Sequence, residues 1–117
     1  MPRRLPSSVM DILSCIDHLQ DYTKKLSFEE STSNYMLIEA CLYNIHIIGE
    51  AVVQLDDDIK NTEPLVPWAL MKGMRNKLIH EYFGTDLPIV WNVIKIELPA
   101  LRTPLEGIHG KLVNQRR

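Results

Sequence analysis

Ile12, Ile16, Leu19, Thr23 and Leu26 recur at steps of three and four residues, the spacing that lines up side chains on one face of an α-helix. A first helix is therefore predicted from about Ser8 to Leu26. Ser7 or Ser8 can cap it, and Asp11 suits the positive end of its dipole. Ser27-Phe28-Glu29-Glu30 sets Ser three residues before Glu, the capping-box spacing, and predicts a long second helix running to about Leu55. Leu37, Cys41, Ile45, Ile48, Val52 and Leu55 form its stripe, and Tyr35, Ile38, Leu42 and Ala51 widen it. A helix apolar over so much of its girth needs cover on more than one side. In a chain this short, a partner subunit is a source of that cover.

Asp56-Asp57-Asp58 and Asn61-Thr62-Glu63-Pro64 read as an exposed loop. Pro67 suits the first turn of a third helix, whose buried stripe is Pro67, Met71, Met74 and Leu78. Gly84 is placed to end that helix as a left-handed cap. Thr85 or Asp86 then caps a fourth, with Pro88 in its first turn and Ile89, Val93, Ile96 and Leu101 as its apolar positions. Pro99 and Pro104 are expected to kink or divide it. No strand alternation, internal repeat or low-complexity tract is visible. The expectation is all-α: a four- or five-helix bundle with mainly up-down connections. It forms one domain over residues 1–117, with a core at about 8–108 and both termini as solvated tails.

Composition narrows the function classes. The 117 residues suit a single core. No apolar run looks long enough to span a bilayer, and the basic start Arg3-Arg4 lacks the apolar stretch of a secretory signal. Cys15 and Cys41 both fall inside apolar helical patterns and read as buried free thiols, which makes the cytoplasm the default compartment. The net charge of −2 excludes a polycation, so any nucleic-acid attraction must come from a local patch or a dimer cleft.

The segment from Gly73 to Phe83 carries the chemistry. Arg75, Asn76, His80 and Tyr82 stand near the end of an otherwise apolar helix. Arginine offers a planar, permanently charged fork suited to phosphate, and histidine titrates near neutrality and can move protons. Cleavage of RNA through its 2′-hydroxyl needs both functions: a base for the hydroxyl proton and a cation for charge on the phosphate. On one straight helix, however, Arg75 and His80 lie about 140° apart, whereas Asn76 shares a face with His80 and Arg75 nearly aligns with Tyr82. Either the helix ends near His80 or two copies converge across a dimer, and the broad apolar second helix favours the dimer.

Arg75-x4-His80-x-Tyr82 resembles the Arg-x4-His-x-Tyr motif of HepT-like toxins in the HEPN superfamily. Asn44-x3-Ile48-Gly49-Glu50-Ala51 is similar to that family's second-helix signature, Pro67-Trp68 with Gly73 to Gly84 to its third-helix block, and Asp86-Leu87 with Ile89-Val90-Trp91 to the opening of its last helix. Three blocks in order, over roughly residues 9 to 101, are far more specific than one motif. The resemblance implies a HEPN-like homodimer and a metal-independent RNA endonuclease toxin with its active site at the dimer interface. Arg75 and His80 would be catalytic, with Asn76 in the supporting polar position. It also implies a partner, an MntA-like nucleotidyltransferase antitoxin that transfers AMP from ATP to Tyr82. The chain itself would need no metal and no cofactor. One departure stands out: many relatives carry a charged pair around Asn44, where this chain has Tyr43 and His46.

Each residue also has a plainer reading. Arg75 and His80 could serve the helix dipole and its last carbonyls, and Tyr82 could be a half-buried core aromatic. Asn76 could support His80 or touch substrate. Lys72 and Lys77 are candidate RNA contacts, although such lysines are most often solvated charges. His18, His46 and His109 lack metal-ligand spacing. The alternative function is a non-catalytic helical subunit that binds a nucleotide or a nucleotidyltransferase.

Overall fold

A computed structural model describes residues 5–73 and 87–115, and all regular structure among them is helical. The elements are α1 (Leu5–Thr23), α2 (Phe28–Thr32), α3 (Tyr35–Gln54), α4 (Asp57–Asn61), α5 (residues 68–73), α6 (Leu87–Asn92), a π-helical segment (Val93–Glu97), α7 (Leu98–Ala100) and α8 (Arg102–Gln115). The all-α expectation holds. Helix α1 begins three residues earlier than its spacing suggested, so Ser7 and Ser8 lie within it. Val9, Ile12, Ile16, Leu19 and Thr23 are its fully buried face.

The capping box forms as expected. Ser27 Oγ accepts from Glu30 N–H, and Glu30 Oε1 accepts from Ser27 N–H. The helix it opens stops after Thr32, however, rather than running on to Leu55. The cause is local. Thr32 and Ser33 hydroxyls bond back to the carbonyls of Phe28, Glu29 and Glu30, and Asn34 turns extended and caps a new helix by accepting from Leu37 N–H. Short polar side chains that satisfy backbone groups themselves offer the chain an alternative to continuing the helix. Likewise, the run of aspartates is not loop throughout, because Asp57 and Asp58 start the single turn of α4.

Helix α3 is long and apolar enough to cross a bilayer by length and composition, with a mean hydropathy of 1.5. This corrects the expectation that no segment reaches that length. In this fold it is the central core helix, burying Cys41, Leu42, Ile45, Ile48, Ala51 and Val52. Helix α1 runs antiparallel along it, as two contacts show: Thr23 faces Leu37 and Cys41 at one end, and His18 reaches Asn44 further along. Asn44 is 6% exposed and fully served, since Nδ2 donates to Ala40 O at 2.8 Å and Oδ1 accepts from His18 Nδ1 at 3.2 Å. A buried amide left without partners would cost several times what the pair contributes.

The C-terminal helices pack antiparallel to α1 and carry a π-helical stretch of backbone. Pro99 has no N–H. In the π-helical segment, Leu98 N–H bonds to Val93 O, five residues back. In that register the donor for Ile94 O would be residue 99, a proline. Gln20 Nε2 fills the gap from α1, donating to Ile94 O at 2.6 Å. Lys95 Nζ reaches the end of α1 in turn, donating to Thr23 O and Oγ1 at 3.3 and 3.2 Å while lying 5.3 Å from the Trp91 ring centre. The Arg102–Asp17 ion pair continues the same antiparallel register. Pro104 sits harmlessly in the first turn of α8. Both prolines thus mark boundaries, as expected.

This arrangement makes a testable link between Pro99 and Gln20. Gln20→Ala should lower unfolding free energy by about 1 kcal/mol, the net worth of one hydrogen bond. In a Pro99→Ala background, where residue 99 regains a donor, that cost should fall by at least half. Urea denaturation of the four proteins measures both. An equal cost in both backgrounds would mean that the π register is not what makes Gln20 necessary.

Candidate functional site

Residues 68–73 of α5 precede the polar motif in sequence, and the structure shows how that stretch is anchored. Trp68 Nε1 donates to both Lys60 O and Glu63 O at 3.1 Å, fixing α5 against the turn that follows α4. Met71 N–H bonds to Pro67 O, so Pro67 stands just before the helix rather than inside it. Val66 and Met71 are buried, and Lys72 is exposed on the last described turn. Arg75, Asn76, Lys77, His80 and Tyr82 lie outside the described residues, as do the expected caps Gly84, Thr85 and Asp86. Of the proposed site, only Lys72 is therefore placed, and its exposure fits a solvated charge as well as an RNA contact.

The flanking blocks divide into packing and surface. Asn44, Ile48, Gly49 and Ala51 are buried in α3, so most of that signature is structural. Glu50 and His46 are half-exposed one turn apart, with Nε2 and Oε1 4.0 Å from each other. In the last block, Val90 is buried, and Trp91 meets Phe28 edge-on at 5.9 Å. Trp91 is thus a packing residue that also receives the Lys95 cation.

The thiols contribute no nucleophile. Cys15 and Cys41 are free and buried. Burial, with a smaller push from Asp11, raises the Cys15 thiol to about 11, and burial alone raises Cys41 to about 11. Both stay protonated at neutral pH. Among the described residues, no group of His, Cys, Asp and Glu is arranged to hold a metal ion. The small hollow beside Cys41 is walled mainly by apolar side chains such as Phe28, Leu42, Trp91 and Ile94, and among the described residues no charged group lines it. Of its hydroxyls, those of Thr23 and Thr32 donate to backbone carbonyls, and Ser31 Oγ is buried without a partner among the described residues.

Lys95 and Gln20 escaped the sequence reading altogether. For Gln20 the signal was Pro99, whose missing donor leaves Ile94 O to be served from outside the helix. Lys95, which serves Thr23 at the end of α1, had no such signal. Glu97 was missed as well: its Oε2 is buried without a hydrogen-bond partner, and only the three-dimensional packing reveals this.

Comparison with known proteins supplies what the geometry leaves out. The family model Ribonuclease HepT-like matches residues 12–108. A protein of Methanocaldococcus jannaschii provisionally named an RNase is 38% identical over 109 residues, covering 92% of this chain and 94% of its own. A Thermococcus cleftensis protein provisionally named ribonuclease HepT is 33% identical over 108 residues, covering 92% and 98%. A third relative, from Caldanaerobacter subterraneus and also provisionally named an RNase, is 38% identical over 100 residues, covering 86% and 89%. No solved structure matches the chain at a significant level. A family match over nearly the whole helical core, together with relatives of the same length, establishes that this chain belongs to the HepT-like ribonuclease family.

Proposed function

We propose that this protein is a metal-independent RNA endonuclease that acts as the toxin of a toxin–antitoxin pair. The observation that carries the reading is the unaltered Arg75-x4-His80-x-Tyr82 triplet within a chain of the HepT-like family. His80 serves as the acid–base group for the 2′-hydroxyl and the leaving oxygen, and Arg75 holds the scissile phosphate. Asn76 orients His80 or the substrate, and Lys72 and Lys77 extend the phosphate contacts. Attack by the 2′-oxygen on phosphorus expels the 5′-oxygen and leaves a 2′,3′-cyclic phosphate. The reaction is confined to RNA and calls for neither metal nor cofactor.

The active unit in this reading is a homodimer, each subunit a single domain. Two features support it. Arg75 and His80 would not share a face of one helix, so convergence across two copies offers a route to a complete site. Helix α3 also leaves apolar side chains open, with Met36 81% and Tyr43 64% exposed seven residues apart on one face and Val53 45% exposed to the side of it. Exposed apolar faces of this kind mark interaction surfaces. The partner that silences the toxin is an MntA-like nucleotidyltransferase, which uses ATP to place AMP on Tyr82. The added phosphate would occupy Arg75 and block RNA. A toxin acting on cellular RNA works in the cytoplasm.

Two experiments test this. Purified protein incubated with RNA in EDTA should cut it and leave cyclic phosphate ends, and His80→Ala should slow cleavage by about a hundredfold or more while remaining folded. Cleavage abolished by EDTA, or unchanged in folded His80→Ala, would overturn the mechanism. Co-expression with a neighbouring nucleotidyltransferase should add the mass of one AMP, removable by Tyr82→Phe, and cut RNA cleavage to background. Unmodified protein with unchanged toxicity would remove the regulatory half of the reading.

A further inference from the structure

The turn before α5 and the α7–α8 junction border an open groove on the described surface. Its rim is apolar: Leu65 is 96% exposed and Leu70 is 44% exposed, and Ala100 and Pro104 face them across the groove. Among the described residues, its only charged lining groups are Glu63 and Glu97. Neither has an ion-pair partner among the described residues. Glu97 Oε2 is also shielded from water without a hydrogen bond. Glu97 itself is half-buried and lines the groove, so a cation there meets a carboxylate with less competition from water than an exposed one has.

We propose that this groove docks a protein segment in which an arginine or lysine is flanked by aliphatic side chains. The cation pairs with Glu97, and Glu63 adds to the field. The aliphatic neighbours cover Leu65 and Leu70. Charge selects this occupant: two carboxylates repel RNA phosphates, and an apolar partner without a cation would leave Glu97 unpaired. The site is independent of the nuclease reading.

The test is an amide chemical-shift titration of the full chain with the probe peptide acetyl-LLRLA-amide and with its twin carrying Glu in place of Arg. The arginine peptide should shift the amides of Leu65, Leu70 and Ala100. The glutamate twin should bind roughly tenfold more weakly or not at all, as should the arginine peptide against Glu97→Gln. Leu65→Lys, a change at a solvent-facing position, should remove binding by like charge even if Glu97→Gln fails to fold. Equal binding of both peptides, or no shift at these amides, overturns the proposal. So does movement of the same amides on dilution of the protein alone, which would assign the groove to a second copy.

Discussion

Burying α3 is the constraint on which the rest of the structure depends. Twenty residues of high apolar content cannot remain in water, and each side of the helix must find a neighbour. Helix α1 covers one side in antiparallel register, and α5 with the π-helical segment covers another, where Ile45 and Ile48 meet Met71, Val93 and Leu98. Polar contacts then fix the register that apolar contact leaves loose: His18 to Asn44, Gln20 to Ile94 O, Lys95 to Thr23 and Arg102 to Asp17. Apolar burial is non-directional, so these directional bonds specify which residues of α1 face which residues of its neighbours.

Function follows from what the bundle leaves uncovered. The start of α5, which precedes Arg75 in the chain, is anchored by Trp68. On the proposed reading, the open Met36–Tyr43 face of α3 brings a second copy to complete the site. The protein's net negative charge is compatible with RNA cleavage if the cations are gathered at such a cleft. The acidic groove by Glu97 suits, on the further proposal, a cationic protein segment rather than RNA.

Much of the fold could be read from the chain because helical periodicity and turn chemistry are local. The stripes of α1 and α3, the Ser27 cap and the proline boundaries all came from neighbours within four residues. The misreadings were of two kinds. Ser33 and Asn34 broke the second helix through side-chain bonds to backbone, a competition that propensity alone does not rank. The π register needed the partner Gln20, 74 residues from Ile94, and no local pattern encodes that. The site was legible only as a motif: Arg75, His80 and Tyr82 carry meaning through their order and spacing within a family, since an arginine and a histidine near a helix end are also ordinary dipole partners.

The coupling of assembly to activity is tested most directly on one sample. Tyr43→Asp places a charge on the open face of α3, at a residue 64% exposed in the single chain, so the fold should survive. Sedimentation mass, circular dichroism and RNA cleavage would be measured on the same preparation. A folded monomer without RNA cleavage is the expected result. A folded monomer that cuts RNA at the wild-type rate would contradict an active site shared between two copies.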